Sequence, residues 1–532
     1  MEPNSRTPGI VGTLGIALLV LVPILGLINA IVNRPADPFS GETPSLEQLI
    51  QGARVWKLLL HSVLLAMVVA VGSVMAGGWM AWVEYRTRFK GHRWVTLLAL
   101  LPMAMPSYIV AASVRSALSP GGWIGDALGL PQMTGGIIAA LVLIAVTAPL
   151  SQLIIGAALQ RCSAAEEEAA RSLGASPWRV FTSITMPQLR SAVGFSALIA
   201  LLYAISDFGA VAVLDMPVLT WRLYSAVEGQ EVAKAAVLGG VLLLATLPLF
   251  VISRWIRGEF KAHNVANPRP VVPQPLTSLP LGISVATLML TVGLGLIIPI
   301  VTLGSWVADG LSRNLAFVNP MVSVWDTLFA AILGAFVTLA FAWFPAWAVA
   351  SKQRNRKRGG LLEDATYVTS ALPGVLLALG LMAAALQVTQ FLPPGAYAGL
   401  LGTGLLLMLG YSTRFVAEVF APLRVAFLSL DPRQDESART LGVSAWIRWR
   451  KVTLPALAPG LAVAWVIGFN AIVKELPVTL LLGGATGLRT LSFRVWDRYN
   501  ESLWHDAGLA GLLLVSLALG SVLMTLSWRR HA

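Results

Sequence analysis

The 532-residue chain is 56% hydrophobic and only 12% charged, with a mean hydropathy of +0.74. That is too little charge to clothe a soluble protein of this length, so the expected solvent is a bilayer. The net charge of +12 comes from Lys and Arg set between apolar runs, the pattern of the positive-inside rule rather than of a basic nucleic-acid-binding domain. A single cysteine, Cys162, excludes a disulfide framework and a cysteine metal cluster.

Twelve apolar segments are long enough to cross a membrane. The first, about Ile10–Val32, has no A-x-A-like cleavage site after it and reads as a retained helix rather than a signal peptide. In the outside loop that follows, Ser45 and Gln48 are spaced to form a capping box ahead of a short surface helix. Span two is about Leu58–Val83, and Arg86, Arg88, Lys90 and Arg93 follow it. Span three, about Trp94–Val114, is interrupted by Pro102 and Pro106. Span four is about Gly136–Leu159, span five about Ser191–Leu214 and span six about Ala235–Ile256. Between four and five lies a loop with Arg161, Arg171, Arg179 and Arg190.

Arg257 to Ser278, with Lys261, Arg269, Pro268, Pro270, Pro273 and Pro275, has no helical periodicity and reads as a linker. The plan then repeats: spans seven to twelve are about Leu279–Val307, Val324–Ala350, Ala365–Leu386, Tyr397–Phe420, Gly460–Leu482 and Ala507–Trp528. The expected organisation is an all-α polytopic membrane protein: a first half at 1–256, a cytoplasmic linker at 257–278 and a second half at 279–532. The strongest basic clusters alternate with sparsely charged loops, which puts both termini and the linker on the cytoplasmic side. Six spans per half is an even number, so the halves are parallel repeats. Pro106 and Pro373 fall at matching places, as do His61-Ser62 and Asp326-Thr327. Trp221-Arg222-Leu223-Tyr224 matches Phe493-Arg494-Val495-Trp496 after a small insertion.

One loop motif occurs twice, 268 residues apart. The first copy holds Glu168-Ala169-Ala170, Gly174, Ile184 and Met186-Pro187; the second holds Glu436-Ser437-Ala438, Gly442, Val452 and Leu454-Pro455. Each reads as a short helix, a glycine turn with positive φ, and a second short helix capped by Ser176 or Ser444. Two membrane carboxylates, Asp207 in span five and Glu475 in span eleven, share the same offset of 268. A charge in hydrocarbon is costly and faces a bundle interior or cavity, so these acids either line a pathway or serve a structural pairing. Adjacent Lys474 points elsewhere on a helix and is an imperfect partner for Glu475.

The duplicated loop resembles the EAA loop of ATP-binding-cassette (ABC) importer permeases, with Ser437 as a departure from its second position. The resemblance implies the type I importer fold, and a coupling helix in each copy that docks on a separate ATPase subunit. It carries over to Glu168, Ala169, Gly174 and Pro187 and to Glu436, Gly442 and Pro455. The segments around Asp207 and Glu475 resemble those of fused ferric-iron permeases, and the two-halves-in-one-chain layout does so across nearly the whole length. Fused thiamine permeases share that layout, while carboxylate oxygen suits a hard trivalent cation.

No G-x-x-x-x-G-K-[ST] phosphate loop is present, so ATP is expected on partner subunits. No zinc-spaced His pair or Ser/His/Asp arrangement stands out, and neither a resident metal nor a cofactor is expected. The expected function is the membrane subunit of an ABC importer in a prokaryotic plasma (inner) membrane. It would work with two ATPase copies and an extracytoplasmic binding protein, and pass iron(III) by alternating access. The alternative within the class is thiamine or another small solute. A secondary transporter shares the six-plus-six layout, but the duplicated loop discriminates against it.

Overall fold

A computed structural model describes residues 6–34, 43–52, 54–88, 92–259, 274–275, 278–354, 360–393 and 395–528. Most of the expected linker lies outside the described residues, as do Lys90, Arg356, Lys357, Arg358, Arg529 and Arg530. The first half begins with α1 (Arg6–Val32), α2 (Leu46–Gly52), α3 (Val55–Arg86), α4 (His92–Leu100), α5 (Ser107–Leu118) and the one-turn α6 (Gly125–Leu128). It continues with α7 (Gly136–Leu159), α8 (Ala164–Ser172), α9 (Pro177–Val180), α10 (Met186–Ser206), α11 (Gly209–Val213), α12 (Leu219–Glu228) and α13 (Val232–Glu259). The second half opens with α14 (Ser278–Leu288), α15 (Ile298–Ser312), α16 (Met321–Arg354), α17 (Leu361–Ala371), α18 (Gly374–Thr389) and α19 (Ala396–Gly402). It ends with α20 (Leu405–Ser429), α21 (Pro432–Thr440), α22 (Ala445–Arg448), α23 (Leu454–Val473), α24 (Pro477–Gly483), α25 (Leu491–Asn500) and α26 (Trp504–Trp528). Among the described residues the one extended pairing is a two-residue parallel bridge, β1 (Thr87–Arg88) with β2 (Gln274–Pro275).

Ten helices are long and apolar enough to cross a membrane, and twelve if each of two bent pairs counts as one span. The bends, 101° between α4 and α5 and 105° between α17 and α18, lie where the sequence places its prolines. Pro106 and Pro373 stand directly before the second helix of each pair, and the residues they follow, Met105 and Leu372, are extended, because a proline disfavours helical backbone in the residue before it. The expected capping box also forms: the Ser45 N–H donates to Gln48 Oε1 at 2.9 Å, and the Gln48 N–H to Ser45 Oγ at 3.2 Å.

Besides the two bent spans, three more of the expected spans are not continuous. Span five stops at Ser206 and restarts as α11, span eleven stops at Val473 and restarts as α24, and span ten is cut by Gly404 at φ +72°. Hydropathy does not register these breaks, because α11 and α24 are as apolar as the helices before them.

The helices pack as two units. One is Ile50–Arg222 with Leu244–Ala316; the other is Met1–Leu49 and Leu223–Leu243 with Phe317–Ala532. In the first, α3, α7 and α10 pack together and α15 lies against α5. Ser73 and Thr147 share a hydrogen bond of 2.6 Å between α3 and α7, and Trp79 Nε1 donates to Ser284 Oγ of α14 at 3.1 Å. In the second, α16, α20 and α23 form the corresponding group, with Thr338 bonded to Ser412 at 3.4 Å, and α1 lies along α16 and α18. The opening helix of each sequence half therefore belongs to the packing unit that holds most of the other half. Nothing in the hydropathy pattern encodes that exchange.

The outward face of α1 shows the solvent. Leu14, Leu18, Leu21, Leu25 and Ile28 are exposed at helical spacing, while Ile16, Leu19 and Leu27 are buried. An exposed stripe of leucines is stable only against lipid. The buried face meets α18 through backbone: a Cβ at Gly26 would strike the Gly380 carbonyl oxygen, and one at Gly380 the Pro23 carbonyl oxygen. Small residues at such crossings let membrane helices approach closely. We expect Gly380→Leu to destabilise by about 1–3 kcal/mol through overpacking and to lower the melting temperature in detergent. Gly520→Leu, which adds a side chain where nothing lies within 4 Å, should leave it unchanged. Equal melting temperatures for both variants would contradict the α1–α18 crossing.

Candidate functional site in the duplicated loops and the broken helices

The first loop copy is α8, a turn at Gly174 and α9. Gly174 has φ +82° with open space around its absent Cβ, so glycine is required by backbone conformation rather than by crowding. Ser176 caps α9 by accepting from the Arg179 N–H at 3.4 Å. In place of an isolated second short helix, α9 runs through a π-helical turn, Phe181–Thr185, straight into α10. Pro187 sits just past that turn. A proline gives no N–H and crowds the carbonyl four residues back, and the wider π turn accommodates both effects.

The loop is anchored by Glu167, not by Glu168. Arg86, at the end of α3, donates to Glu167 Oε1 at 2.9 Å, and both side chains are buried. Thr185 Oγ1 donates to the same oxygen at 3.0 Å, and Arg171 lies 3.6 Å from Oε2. One carboxylate thus joins α3, α8 and the π turn. The neighbouring Cys162 thiol is pushed up in pKa by desolvation, against the opposing charge of Arg86.

The second copy repeats the frame. Gly442 has φ +74° in open space, a π turn at Trp449–Thr453 joins α22 to α23, and Pro455 follows it. Here the anchoring acid is Asp435, which occupies the place of Glu167 and accepts from Arg448 Nε at 3.0 Å. Ser444 has the extended backbone of an N-cap but makes no side-chain cap bond, contrary to expectation. Glu168, Ala169, Gly174, Pro187, Glu436, Gly442 and Pro455 are all exposed. Beside them stand large apolar side chains: Leu173 is 88% and Trp178 72% exposed, and their counterparts Leu441 and Trp446 are 81% and 66% exposed. Trp178 stacks on Phe181 as Trp446 stacks on Trp449, at centroid distances of 5.7 and 5.4 Å. These four positions were within reach of the same 268-residue comparison that revealed the glutamates.

Asp207 and Glu475 occupy the helix breaks. Asp207 is extended, and its Oδ1 accepts the Ala210 N–H at 2.9 Å, so it caps α11. Glu475 Oε1 accepts the Val478 N–H at 3.2 Å and caps α24 in the same way. Ser107, the first residue of α5, donates to Asp207 Oδ2. In the other half Gly374, the first residue of α18, would place a Cβ 2.9 Å from Glu475 Oε1. Each buried acid therefore lies where a broken span meets the helix that follows a bend. Lys474 interacts with Glu418 of α20, a partner on a helix that sequence spacing did not point to.

The anchor is directly testable. Removing one member of a buried ion pair costs about 3–5 kcal/mol, whereas replacing both with apolar residues is often near neutral. Arg86→Ala should lose that much stability in detergent, and Arg86→Met with Glu167→Met should recover most of it. A melting temperature for Arg86→Ala equal to that of the parent would contradict the anchoring role.

The profile of the family "Binding-protein-dependent transport system inner membrane component" matches residues 73–260 and again 344–530. The Fe(3+)-transport system permease protein FbpB 2 of Haemophilus influenzae is 27% identical over 488 residues, covering 89% of this chain and 90% of that one. The thiamine transport system permease protein ThiP of Escherichia coli is 23% identical over 97% of this chain and 95% of its own. A probable sulfate transport system permease protein, cysT of Nephroselmis olivacea, is 26% identical over 46% of this chain and 87% of its own. With two copies of the family's unit fused in one polypeptide, the chain belongs to the binding-protein-dependent transport system inner membrane components, the permease subunits of ABC importers.

Proposed function

We propose that this permease imports iron(III), handed over by an extracytoplasmic binding protein and driven by two copies of an ATPase that dock on the two loops. The observation that carries the docking is the pair of exposed Leu-Trp patches, Leu173 with Trp178 and Leu441 with Trp446, at identical places in the two loops. An aqueous face does not keep such patches uncovered without a partner. Because α9, the π turn and α10 are continuous, a push on the first loop is transmitted along the span to Asp207. The second loop is connected to Glu475 in the same way through α22 and α23. ATP-driven closure of the ATPase pair then switches which end of the path is open. Loops, linker and termini lie in the cytoplasm on this reading.

Iron is favoured by two carboxylates at equivalent depth, hard oxygen ligands suited to a trivalent cation, and by similarity to an Fe(3+) permease over 89% of the chain. Thiamine is the second reading, since the matched thiamine permease spans 97% of it. The acids cap helix breaks and also serve the path: the edges of their carboxylates attract the cation while their capping oxygens hold the helix ends.

The test is uptake of radioactive iron or thiamine into proteoliposomes holding permease, ATPase and binding protein. Iron should accumulate only with all components and ATP, and the permease alone should hydrolyse no ATP above a mock preparation. Asp207→Asn with Glu475→Gln keeps an oxygen to cap each break, so it should insert and stimulate the ATPase normally but import at least tenfold less iron. Wild-type uptake by that double variant would remove the acids from the path, and thiamine accumulation in place of iron would overturn the assignment. Gly174→Pro with Gly442→Pro breaks both turns without altering a span. It should insert normally while losing both uptake and ATPase stimulation; full uptake would refute docking at the loops.

A further inference from the structure

One cluster of charge in the second half has no counterpart in the first. Arg414 and Glu418 lie one turn apart near the middle of the 25-residue α20, and Lys474 is the C-cap of α23. All belong to the packing unit that holds Phe317–Ala532. Glu418 interacts electrostatically with both Arg414 and Lys474. Arg414 Nη1 also donates to the Ser370 and Leu372 carbonyl oxygens, each at 3.4 Å, where α17 gives way to α18.

The matching bonds Ser73–Thr147 and Thr338–Ser412 set α7 and α20 in register, 265 residues apart. On that register Pro149 stands at the place of Arg414 and Leu153 at the place of Glu418. At the loop offset of 268, Ser206 stands at the place of Lys474. The acids that cap the helix breaks occur in both halves, as a structural requirement of a duplicated fold must. The cluster occurs once, and the first half forms its own bend between α4 and α5 without it. Charge at mid-span is costly, so a cluster that the fold does not require twice points to the cargo.

Glu418 is exposed between buried Ala417 and Val419. An exposed carboxylate at mid-span is stable only toward water-filled space, so a solute can reach the cluster. There two cations face one carboxylate. That balance repels a bare trivalent cation and attracts an anion. Arginine presents a planar fork of N–H donors that fits carboxylate or phosphate oxygens, and lysine adds a compact point charge. Oxyanions are also hard ligands for iron(III), and one bound to the metal lowers the charge that has to leave bulk water.

We propose that Arg414 and Lys474 form a binding site for a small oxyanion, a carboxylate or phosphate, that crosses the membrane as a ligand of the metal. Glu418 competes for both cations and keeps the hold weak enough for release. Passage together with a metal rests on the iron reading above; the oxyanion site itself does not.

Binding is measured on the full-length permease in detergent, without the ATPase, whose own site takes phosphate. The probes are radioactive inorganic phosphate and radioactive citrate, and the tighter of the two identifies the oxyanion. Lys474→Gln should weaken binding about tenfold, the loss of one charged hydrogen-bond donor, and Glu418→Gln should tighten it. A structural cluster would respond to both changes in the same direction. No saturable binding of either probe, or weaker binding in both variants, would overturn the site. Arg414→Lys keeps the charge and should bind within a few fold of the parent, whereas Arg414→Gln should not; equal binding by the two would remove Arg414 from the site. In proteoliposomes with ATPase and binding protein, the labelled anion should accumulate together with iron. Iron accumulating while the anion stays outside would overturn joint passage. Absence of any iron uptake would overturn the iron assignment and leave the binding comparison to decide the oxyanion site.

Discussion

A helix interrupted inside hydrocarbon frees backbone N–H and carbonyl groups that no water can satisfy. Two such interruptions, one in each half, organise the helices around them. At Asp207 and Glu475 the chain supplies its own partners. The carboxylate takes an N–H of the next helix, and the backbone carbonyl of the same residue takes a hydroxyl from α12 or α25. One residue thus ends a span, starts the next helix and ties down a third. A carboxylate is a strong acceptor for a helix N-terminus, which explains an acid at a depth where charge is otherwise excluded.

The other ends of the same helices carry the loops. Their continuity through a π turn makes each loop and span a single lever, and the proline after the turn is compatible with it because the π geometry has already opened the hydrogen-bond ladder. In the first loop the buried Arg86–Glu167 pair ties α8 to α3, and in the second Asp435, at the place of Glu167, accepts from Arg448.

Much of this was legible in the sequence. Mean hydropathy and basic loops gave the spans, Pro106 and Pro373 marked the bends, and glycine at 174 and 442 required positive φ. The loop glutamates were found by repetition, yet in the run Glu166-Glu167-Glu168 nothing local distinguishes the buried acid from the exposed one. That distinction depends on Arg86, which is remote in sequence. The breaks at Asp207 and Glu475 were missed because hydropathy sums side chains and ignores backbone, although Gly209 and Pro477, each two residues on, are helix-weakening signals. The exchange of α1 and α14–α15 between packing units was not legible at all. A lipid-facing leucine stripe looks the same whichever bundle its other face meets.

The account's central claim is that the two exposed Leu-Trp patches are the seats of two separate ATPase subunits. A photoreactive benzoylphenylalanine placed at Trp178, and separately at Trp446, tests it in the assembled complex in lipid. On irradiation each site should cross-link the permease to one ATPase subunit, in yields that change with bound nucleotide. An actively transporting complex in which neither site captures an ATPase subunit would contradict the account.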